Sequence, residues 1–542
     1  MKLSILALVA VAACGSTHTV RFANAPVVTR VDDSQNVPKA PAEHPFAQKL
    51  YHFRGNVSLR LERGLEVRRE RRSIGVNAFD EVPDSTWFTN RIGVRALTTE
   101  EIQHGSIQIE SPEAHLPWTI KSTKIGGASV GFIIKDARGE TFVLKFDEPE
   151  MPEVETSADA IVGRLLWSVG FNISEDHVVY FRATDLKLTK DAKIKDWFGN
   201  GRPLRQPDLD KLLAKVSIGA DGRYRGLASR FLGGKRLGGH PDEGVRSDDP
   251  NDLIPHERRR ELRGSRPIFA WLDHVDVKED NTIDMYIPDG DRHYVRHYLI
   301  DFGKSLGCMA MSATNPRRSF QYALDFAALF KALLTFGLTE RPWQGRTSPP
   351  ILGVALLDTA KFKPELWSPN TASYYPFLLT DRIDGFWGAK LVMRFTREQI
   401  RAAVDMGRLT DPRAAEFITD ALVERQKKTG RYYFSQVAPL DGFAIEGSQL
   451  CFDDLMLTNR LAPVLGTTYT LATSDRNGRA LAEVAVPAQG SGRTCTPIQL
   501  AGDGDGYTIV RIRAKRQALD RSMYVHVARR DGAAHVIGLW RE

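Results

Sequence analysis

The chain has 542 residues, of which 42% are hydrophobic and 26% charged, with a formal charge of +7. Single hydrophobic cores stop growing at roughly 250 to 300 residues, so one core is excluded, and the composition also excludes a fibrous or largely disordered chain. Part of the positive balance sits in the runs Arg68, Arg69, Arg71, Arg72 and Arg258, Arg259, Arg260; with no interleaved aromatic stripe and no nucleic-acid fold signature, these read as solvated faces, and nucleic acid is not expected as a partner.

The first residues, MKLSILALVAVAACGS, place one basic residue before an apolar run from Leu3 to Ala13. That run is too short to span a bilayer and reads as a signal segment. Its end, Val11 Ala12 Ala13 Cys14, resembles the lipobox of bacterial lipoproteins. The resemblance implies a lipoprotein signal segment over 1–14, with Cys14 acylated and left as the mature amino terminus, and a mature protein tethered to the bacterial cell envelope outside the cytoplasm, its lipid anchor being its only membrane contact. The alternative is a plain signal peptide with an incidental cysteine. No later stretch reaches the roughly 20 apolar residues that a membrane helix needs.

Residues 15–45 mix Thr, Asn, Pro and Ala without a periodic apolar pattern, as in a spacer. An N-terminal extension is expected over 50–114, with NAFDEVPDSTWFTNR (Asn77 to Arg91) as an ordered loop packed on it. From Trp118 short β-type runs follow: WTIK, KIGGASVG, FIIKD, a turn at Asp136 to Gly139, and ETFVLKF. Residues 153–169 then space Val154, Ala158, Ile161, Val162, Leu165, Leu166 and Val169 as one stripe of an amphipathic helix. HVVYF (His177 to Phe181) adds a strand, and the lysine-rich stretch from Thr184 to Lys215 reads as an insertion of mixed structure.

RSDDPNDLIPHERRRELRG, Arg246 to Gly264, is too polar for a core; it reads either as a substrate-binding surface or as a capped turn before a charged helix. Farther on, Thr396 and Gln399 form a capping-box pattern, and Asp411 with Pro412 opens another helix. From about Ala444 the alternating runs YTIVRIR, MYVHVA and HVIGLW, separated by Gly and Asp turns, predict a small β-sandwich over 444–542. Cys451 and Cys495 either pair in an oxidising compartment or remain thiols, whereas Cys308 has no evident partner. With neither CxxC nor a Cys/His cluster, a zinc site of the usual spacing is not expected.

The strongest signal is central. HVDVKEDN (His274 to Asn281) is followed twenty residues later by Asp301 Phe302 Gly303. Phosphoryl transfer needs an acidic group to orient a hydroxyl and oxygen ligands to hold a divalent metal, because its catalysis is mostly positioning and charge neutralisation. The first segment resembles the HRDxKxxN catalytic loop of protein kinases, and DFG is identical to their metal-binding triplet. The resemblance implies Asp276 as the hydroxyl-orienting base, Lys278 at the transferred phosphate, and Asn281 and Asp301 as ligands of Mg or Mn. Val275 stands where kinases usually carry Arg, which removes a partner for a phosphorylated activation loop.

Upstream, IGGASVGF (Ile125 to Phe132) occupies the place of a glycine-rich phosphate cover, aligned on Gly126, Gly127 and Gly131 but departing from GxGxxG; read alone it is a plain hairpin turn. Lys145, closing the third strand, stands where kinases keep their nucleotide-binding lysine, with Asp159 favoured over Glu155 as its carboxylate partner. The opposing reading is a lysine that snorkels at a strand end. His274 is expected to brace the loop rather than to transfer protons.

The resemblance covers about residues 115–440 and implies an α+β fold: a two-lobed kinase-like body with a β-rich N-lobe (115–180) and a helical C-lobe (181–443, insertion 184–215), followed by the all-β domain. It is similar to atypical bacterial and secreted kinase-like proteins, which implies ATP or another nucleotide as ligand and a protein or small molecule as acceptor. Fold alone does not set the reaction, and bacterial envelopes hold little ATP, so the competing expectation is an inactive kinase-like module that binds an envelope protein or glycan.

Overall fold

The computed structural model describes residues 20–46, 48–67, 71–124, 130–195, 200–308, 317–322, 325–369, 372–517 and 519–542. The chain divides into a larger unit, Val28–Asn77 with Glu81–Pro439, and a smaller one, chiefly Leu440–Glu542 with Ala78–Asp80 and the described part of Met1–Val27. The whole is a mixed α+β protein. Among the described residues no helix is long and apolar enough to cross a membrane.

The larger unit begins its regular sheet where alternation begins. Strands β1 (Trp118–Thr123), β2 (Gly131–Lys135) and β3 (Thr141–Lys145) pair antiparallel in succession. Period-two alternation sends Trp118, Ile120, Phe132, Ile134, Phe142 and Leu144 into one core. The same alternation leaves Val143 and Lys145 of β3 on the opposite face, lining a cavity. Next come β4 (Asp176–Phe181), β5 (Leu186–Lys195), β6 (Gly201–Pro203) and β7 (Tyr224–Arg230), giving a seven-stranded sheet in the order β4-β7-β3-β2-β1-β5-β6.

This order corrects the boundary expected near 180. The stretch 184–215 is not an insertion into the helical half: β5 runs parallel to β1 and extends the sheet, and the Gln206–Leu213 helix adds Leu209 and Leu213 to the sheet's core. Its lysines stay partly or fully exposed while Leu186 and Ala192 turn inward, so a lysine-rich composition here marks strands near the sheet's margin.

The Val154–Val169 helix also differs from the expected single apolar stripe, because every residue except Glu155 and Trp167 is buried. Its polar side is satisfied internally: Thr156 on Asp147, Ser157 on the Gly407 carbonyl, Arg164 on the Asp176 carbonyl. Residues 28–45, the latter part of the 15–45 stretch expected as spacer, are instead pinned along the larger unit, with the Val31 N–H on Asp84 and the Val37 N–H on His293.

The helical part packs Ser265–Leu272, Arg382–Val392, Arg397–Asp405 and Pro412–Phe434 around Trp271, Trp387, Ile400 and Leu422. Thr396 accepts from the Gln399 N–H while Gln399 caps Thr396 in return, and Asp411 caps the helix that Pro412 opens. Within the Arg246 to Gly264 segment Ser247, Asp248, Pro250 and Leu253 are exposed, whereas Arg259 to Gly264 are buried, against expectation, because charges there pair. Asp252 holds His256 at 2.7 Å and Arg259 at 2.8 Å, and Asp384 holds Arg260 at 2.9 Å and Arg263 at 2.6 Å.

A second sheet, β10-β9-β8, comprises β8 (Lys235–Arg236), β9 (Thr282–Asp289) and β10 (Arg292–Leu299). Asp284 in β9 is fully buried and takes the ring nitrogens of His240 (3.2 Å) and His297 (2.7 Å), while Trp87 stacks on His297 at 3.6 Å.

The smaller unit contains two sheets. One joins β11 (Leu440–Glu446), β12 (Gln449–Asp454) and β15 (Arg493–Pro497); the other has the order β14-β13-β16-β17-β18, from β13 (Thr467–Asp475), β14 (Ala480–Pro487), β16 (Thr508–Arg516), β17 (Leu519–Arg530) and β18 (Ala533–Arg541). Phe22 lies against Gly538, where any Cβ would meet its ring. Cys451 and Cys495 face each other across β12 and β15 and are joined as a disulfide, while Cys308 is free and buried.

With the two cysteines 44 positions apart in the chain, the bond restricts the unfolded chain. Converting both to Ser is expected to lower the stability of this unit by about 2 to 4 kcal/mol. Thermal melts of wild type and C451S/C495S, compared with and without reductant, check this; the reductant should move only the wild type.

Candidate functional site

The twenty-residue gap between the two motifs is a hairpin. Strands β9 and β10 pair without interruption from Thr282↔Leu299 to Asp289↔Arg292 around Gly290, whose φ is +59°. Full register returns the chain to its starting point, so the residue before β9, Asn281, and the residues after β10, Ile300 and Asp301, are neighbours; the Ile300 N–H donates to the Asn281 carbonyl at 3.0 Å. Two further backbone bonds, Val275 N–H to Lys304 and Leu306 N–H to Leu272, hold the two loops together.

Lys145 reaches these loops from the sheet. Its Nζ lies 2.9 Å from Asp301 Oδ1 and 3.3 Å from Asp159 Oδ2. Burial alone would lower this ammonium, yet Asp301 and Asp159 outweigh it and raise it well above its ordinary value. Lys145 in turn holds Asp301 well below the usual carboxylate range against the opposing effect of burial. Asp159 moves the other way, upward, because its burial outweighs the pull of Lys145. The two carboxylates are thereby distinguished: the Asp159 side chain is 2% exposed and serves the protein, whereas that of Asp301 is 46% exposed and opens into the cleft.

The DFG triplet is held by the Val154–Val169 helix. Asp159 Oδ1 accepts the Phe302 N–H at 3.0 Å, and the Phe302 ring is buried in the helical core. A Cβ on Gly303 would sit 2.5 Å from the Glu155 Cγ, so only glycine admits the helix this close. Glu155 pairs with Lys304 and not with Lys145. Asp301 itself adopts a φ of +64°, the left-handed region.

Across the cleft, Lys278 Nζ lies 2.9 Å from Asp276 Oδ2. Asn281 donates its amide hydrogens to the Asp276 carbonyl (2.7 Å) and carboxylate (3.1 Å), which leaves its Oδ1 free of hydrogen bonds among the described residues. His274 bonds Ser305 Oγ at 2.9 Å and is buried, which drives its ring down to about 4 and keeps it neutral; it braces the two loops. Val275 is buried.

Behind it Asp273, fully buried, takes Arg318 Nε at 3.0 Å, Ser319 Oγ at 2.5 Å and Arg425 at 3.4 Å. A divalent cation of the hard, oxygen-seeking class suits the donors at hand, the Asp301 carboxylate and the Asn281 amide oxygen.

Lys145 and Asp301 close one end of a cavity of about 410 Å³ whose remaining wall is mostly apolar, with Val143, Phe231, Leu232, Ile283, Met285 and Ile300. Such a slot takes a flat apolar ring, with the charged groups left for its substituents.

Two further cations at the site carry no motif. Burial lowers the Lys124 ammonium, with Lys145 adding to the effect and Asp301 and Glu155 opposing it; Lys304 is raised, Glu155 outweighing its burial. Gly131 opens β2 opposite Lys145, and its missing side chain admits the Leu144 carbonyl and Lys124. Gly126, Gly127 and Cys14 lie outside the described residues.

No family model matches the chain, and no curated protein sequence does. Two solved structures overlap it: the Golgi casein kinase, at 12% identity and a TM-score of 0.30, and the same kinase with Mn/ADP bound, at 12% and 0.29. Each comparison spans 74% of this chain and 94% of the other. Similarity of that extent leaves the assignment to the residues themselves.

Proposed function

We propose that the larger unit is a two-lobed, kinase-like phosphotransferase that uses ATP or a related nucleotide with Mg or Mn. The observation that carries this reading is Lys145 held between Asp159 and Asp301 at the inner end of an apolar, ring-sized cavity. The motifs favour it as well, since Asp276, Lys278, Asn281 and Asp301 stand in the order and chemistry that the kinase resemblance implies. A divalent metal, when bound, would neutralise charge on the transferring phosphate.

In this reading Val143, Phe231 and Met285 sandwich the base, Lys145 contacts the nucleotide phosphates, and Asn281 and Asp301 hold the cation. Asp276, its carboxylate fixed by Asn281 and Lys278, orients the acceptor hydroxyl and takes its proton, and Lys278 lies beside the transferred group. Buried Val275 offers no cation to a phosphorylated loop, so activity would not depend on such phosphorylation. The lipobox-like end of the signal segment supports a bacterial, envelope-tethered protein anchored through Cys14.

Incubating the purified protein with γ-labelled ATP, manganese and an envelope extract tests the proposal. Labelled acceptor is expected, and Asp276→Ala should reduce its formation by roughly a hundredfold to ten-thousandfold. Equal labelling by wild type and variant removes Asp276 from the chemistry; envelope binding without any transfer establishes the inactive binding module.

A further inference from the structure

Behind the strand that leads out of the sheet, β7, lies a second cavity of about 640 Å³. It shares Arg230, Phe231 and Leu232 with the apolar slot but is otherwise separate, and it is lined by arginines from three different elements: Arg91 from the N-terminal extension, Arg230 from β7 and Arg296 from β10. Their circumstances differ. Arg230 is engaged by Glu140 at 3.1 Å and Glu175 at 2.6 Å, and Glu175 also takes the backbone N–H of Gln108. Those two carboxylates are therefore already committed.

Neither Arg91 nor Arg296 forms an ion pair or hydrogen bond with a carboxylate among the described residues, though Asp84 lies near enough to act on Arg91. Arg91 lies over the Trp167 ring at 4.5 Å and donates to the Trp167 carbonyl at 2.7 Å and more weakly to that of Phe171. Arg296 donates to the Tyr294 hydroxyl at 3.2 Å. Each guanidinium carries five donors, so most remain unspent. Burial pulls Arg91 down to about 10; Asp84 opposes this and the like charge of Arg296 adds to it. Two half-buried cations that repel each other across a polar cavity are costly unless an anion joins them.

We infer that this cavity is a binding site for a phosphorylated small molecule, whose phosphate is shared between Arg91 and Arg296. A phosphate monoester carries about −1.5 to −2 at pH 7 and matches two guanidinium forks, whereas a carboxylate neutralises only one. The cavity's volume leaves room for an organic body beside the phosphate, along the aromatic and polar wall of Trp167, Tyr298 and Asn172. Asn172 spends its amide hydrogens on the carbonyls of Thr86 and His297, so its Oδ1 is left to accept from a ligand hydroxyl.

Calorimetric titration of the full chain with inorganic phosphate, and then with phenyl phosphate as a simple monoester, tests the site in wild type, Arg91→Gln, Arg296→Gln and, as a control, Lys187→Met. Saturable binding that depends on the two arginines is expected, with the monoester binding more tightly than the ion. Each arginine variant should weaken it by roughly tenfold or more, the effect of one charge-assisted hydrogen bond. Lys187→Met should leave it unchanged, because Lys187 is an exposed residue of β5 and lines neither cavity. Arg91 also holds backbone carbonyls, so Arg296→Gln decides if Arg91→Gln fails to fold. No saturable binding at millimolar phosphate overturns the inference, as does binding that survives Arg296→Gln or is lost in Lys187→Met.

Discussion

In Asp301→Asn, a nucleotide with manganese is expected to give no thermal stabilisation. Wild type should gain about 2.7 kcal/mol at a hundredfold excess over Kd, a ligand that binds only the folded state acting by mass action. Asn is the informative replacement because Asp301 has a φ of +64°, which Asn tolerates and most other residues do not, so the backbone is kept while the charge is removed. Lys145 keeps Asp159, and the folded state should survive. Differential scanning fluorimetry over a matrix of ATP and manganese makes the measurement. A full ligand-induced shift in Asp301→Asn would eliminate Asp301 as a cation ligand, and with it the phosphotransferase reading.

Asp273→Asn is expected to have the largest effect on stability, about 3 to 5 kcal/mol at pH 7, because it leaves Arg318 and Arg425 buried without their counter-charge. Both arginine side chains are nearly inaccessible, and burial already draws Arg425 down to about 10. The pH dependence follows from the same pairing. Burial would raise the Asp273 carboxyl, but Arg318 and Arg425 hold it well below the usual range. Its contribution is therefore present above its unfolded value of about 4 and is lost as pH falls below that. Urea denaturation followed by tryptophan fluorescence should show the wild-type advantage at pH 7 narrowing in acid below that value. A variant as stable as wild type at neutral pH would refute the account.

The parts of this fold legible in the sequence are those whose signals are local. Alternation in FIIKD and FVLKF foretold β2 and β3, and the Thr396 and Gln399 pair foretold a helix start. Helical spacing offers Glu155 and Asp159 alike, one turn apart on the same edge, and the kinase resemblance implies a carboxylate there, with Asp159 favoured as a shorter substitute for the usual Glu; in the structure Lys145 pairs with Asp159 while Glu155 takes Lys304.

What the sequence hid depends on distant partners. The charges of Arg260 and Arg263 read as surface because their carboxylate, Asp384, lies more than a hundred residues away. Strands β5 and β7 escaped because the segments they pair with are remote in the chain. The hairpin that joins the two motifs was open to discovery: IDMYIPDGDRHYVRHYL alternates on both sides of a DGD turn, a strong short-range hairpin signal. Lys124 and Lys304 had no signal, since single lysines in a basic chain announce nothing.

Arg230, Phe231 and Leu232 line both cavities. A guest in one that displaced these shared residues would alter the fit in the other, and thermodynamic reciprocity would then require the two occupants to change each other's affinity by the same factor.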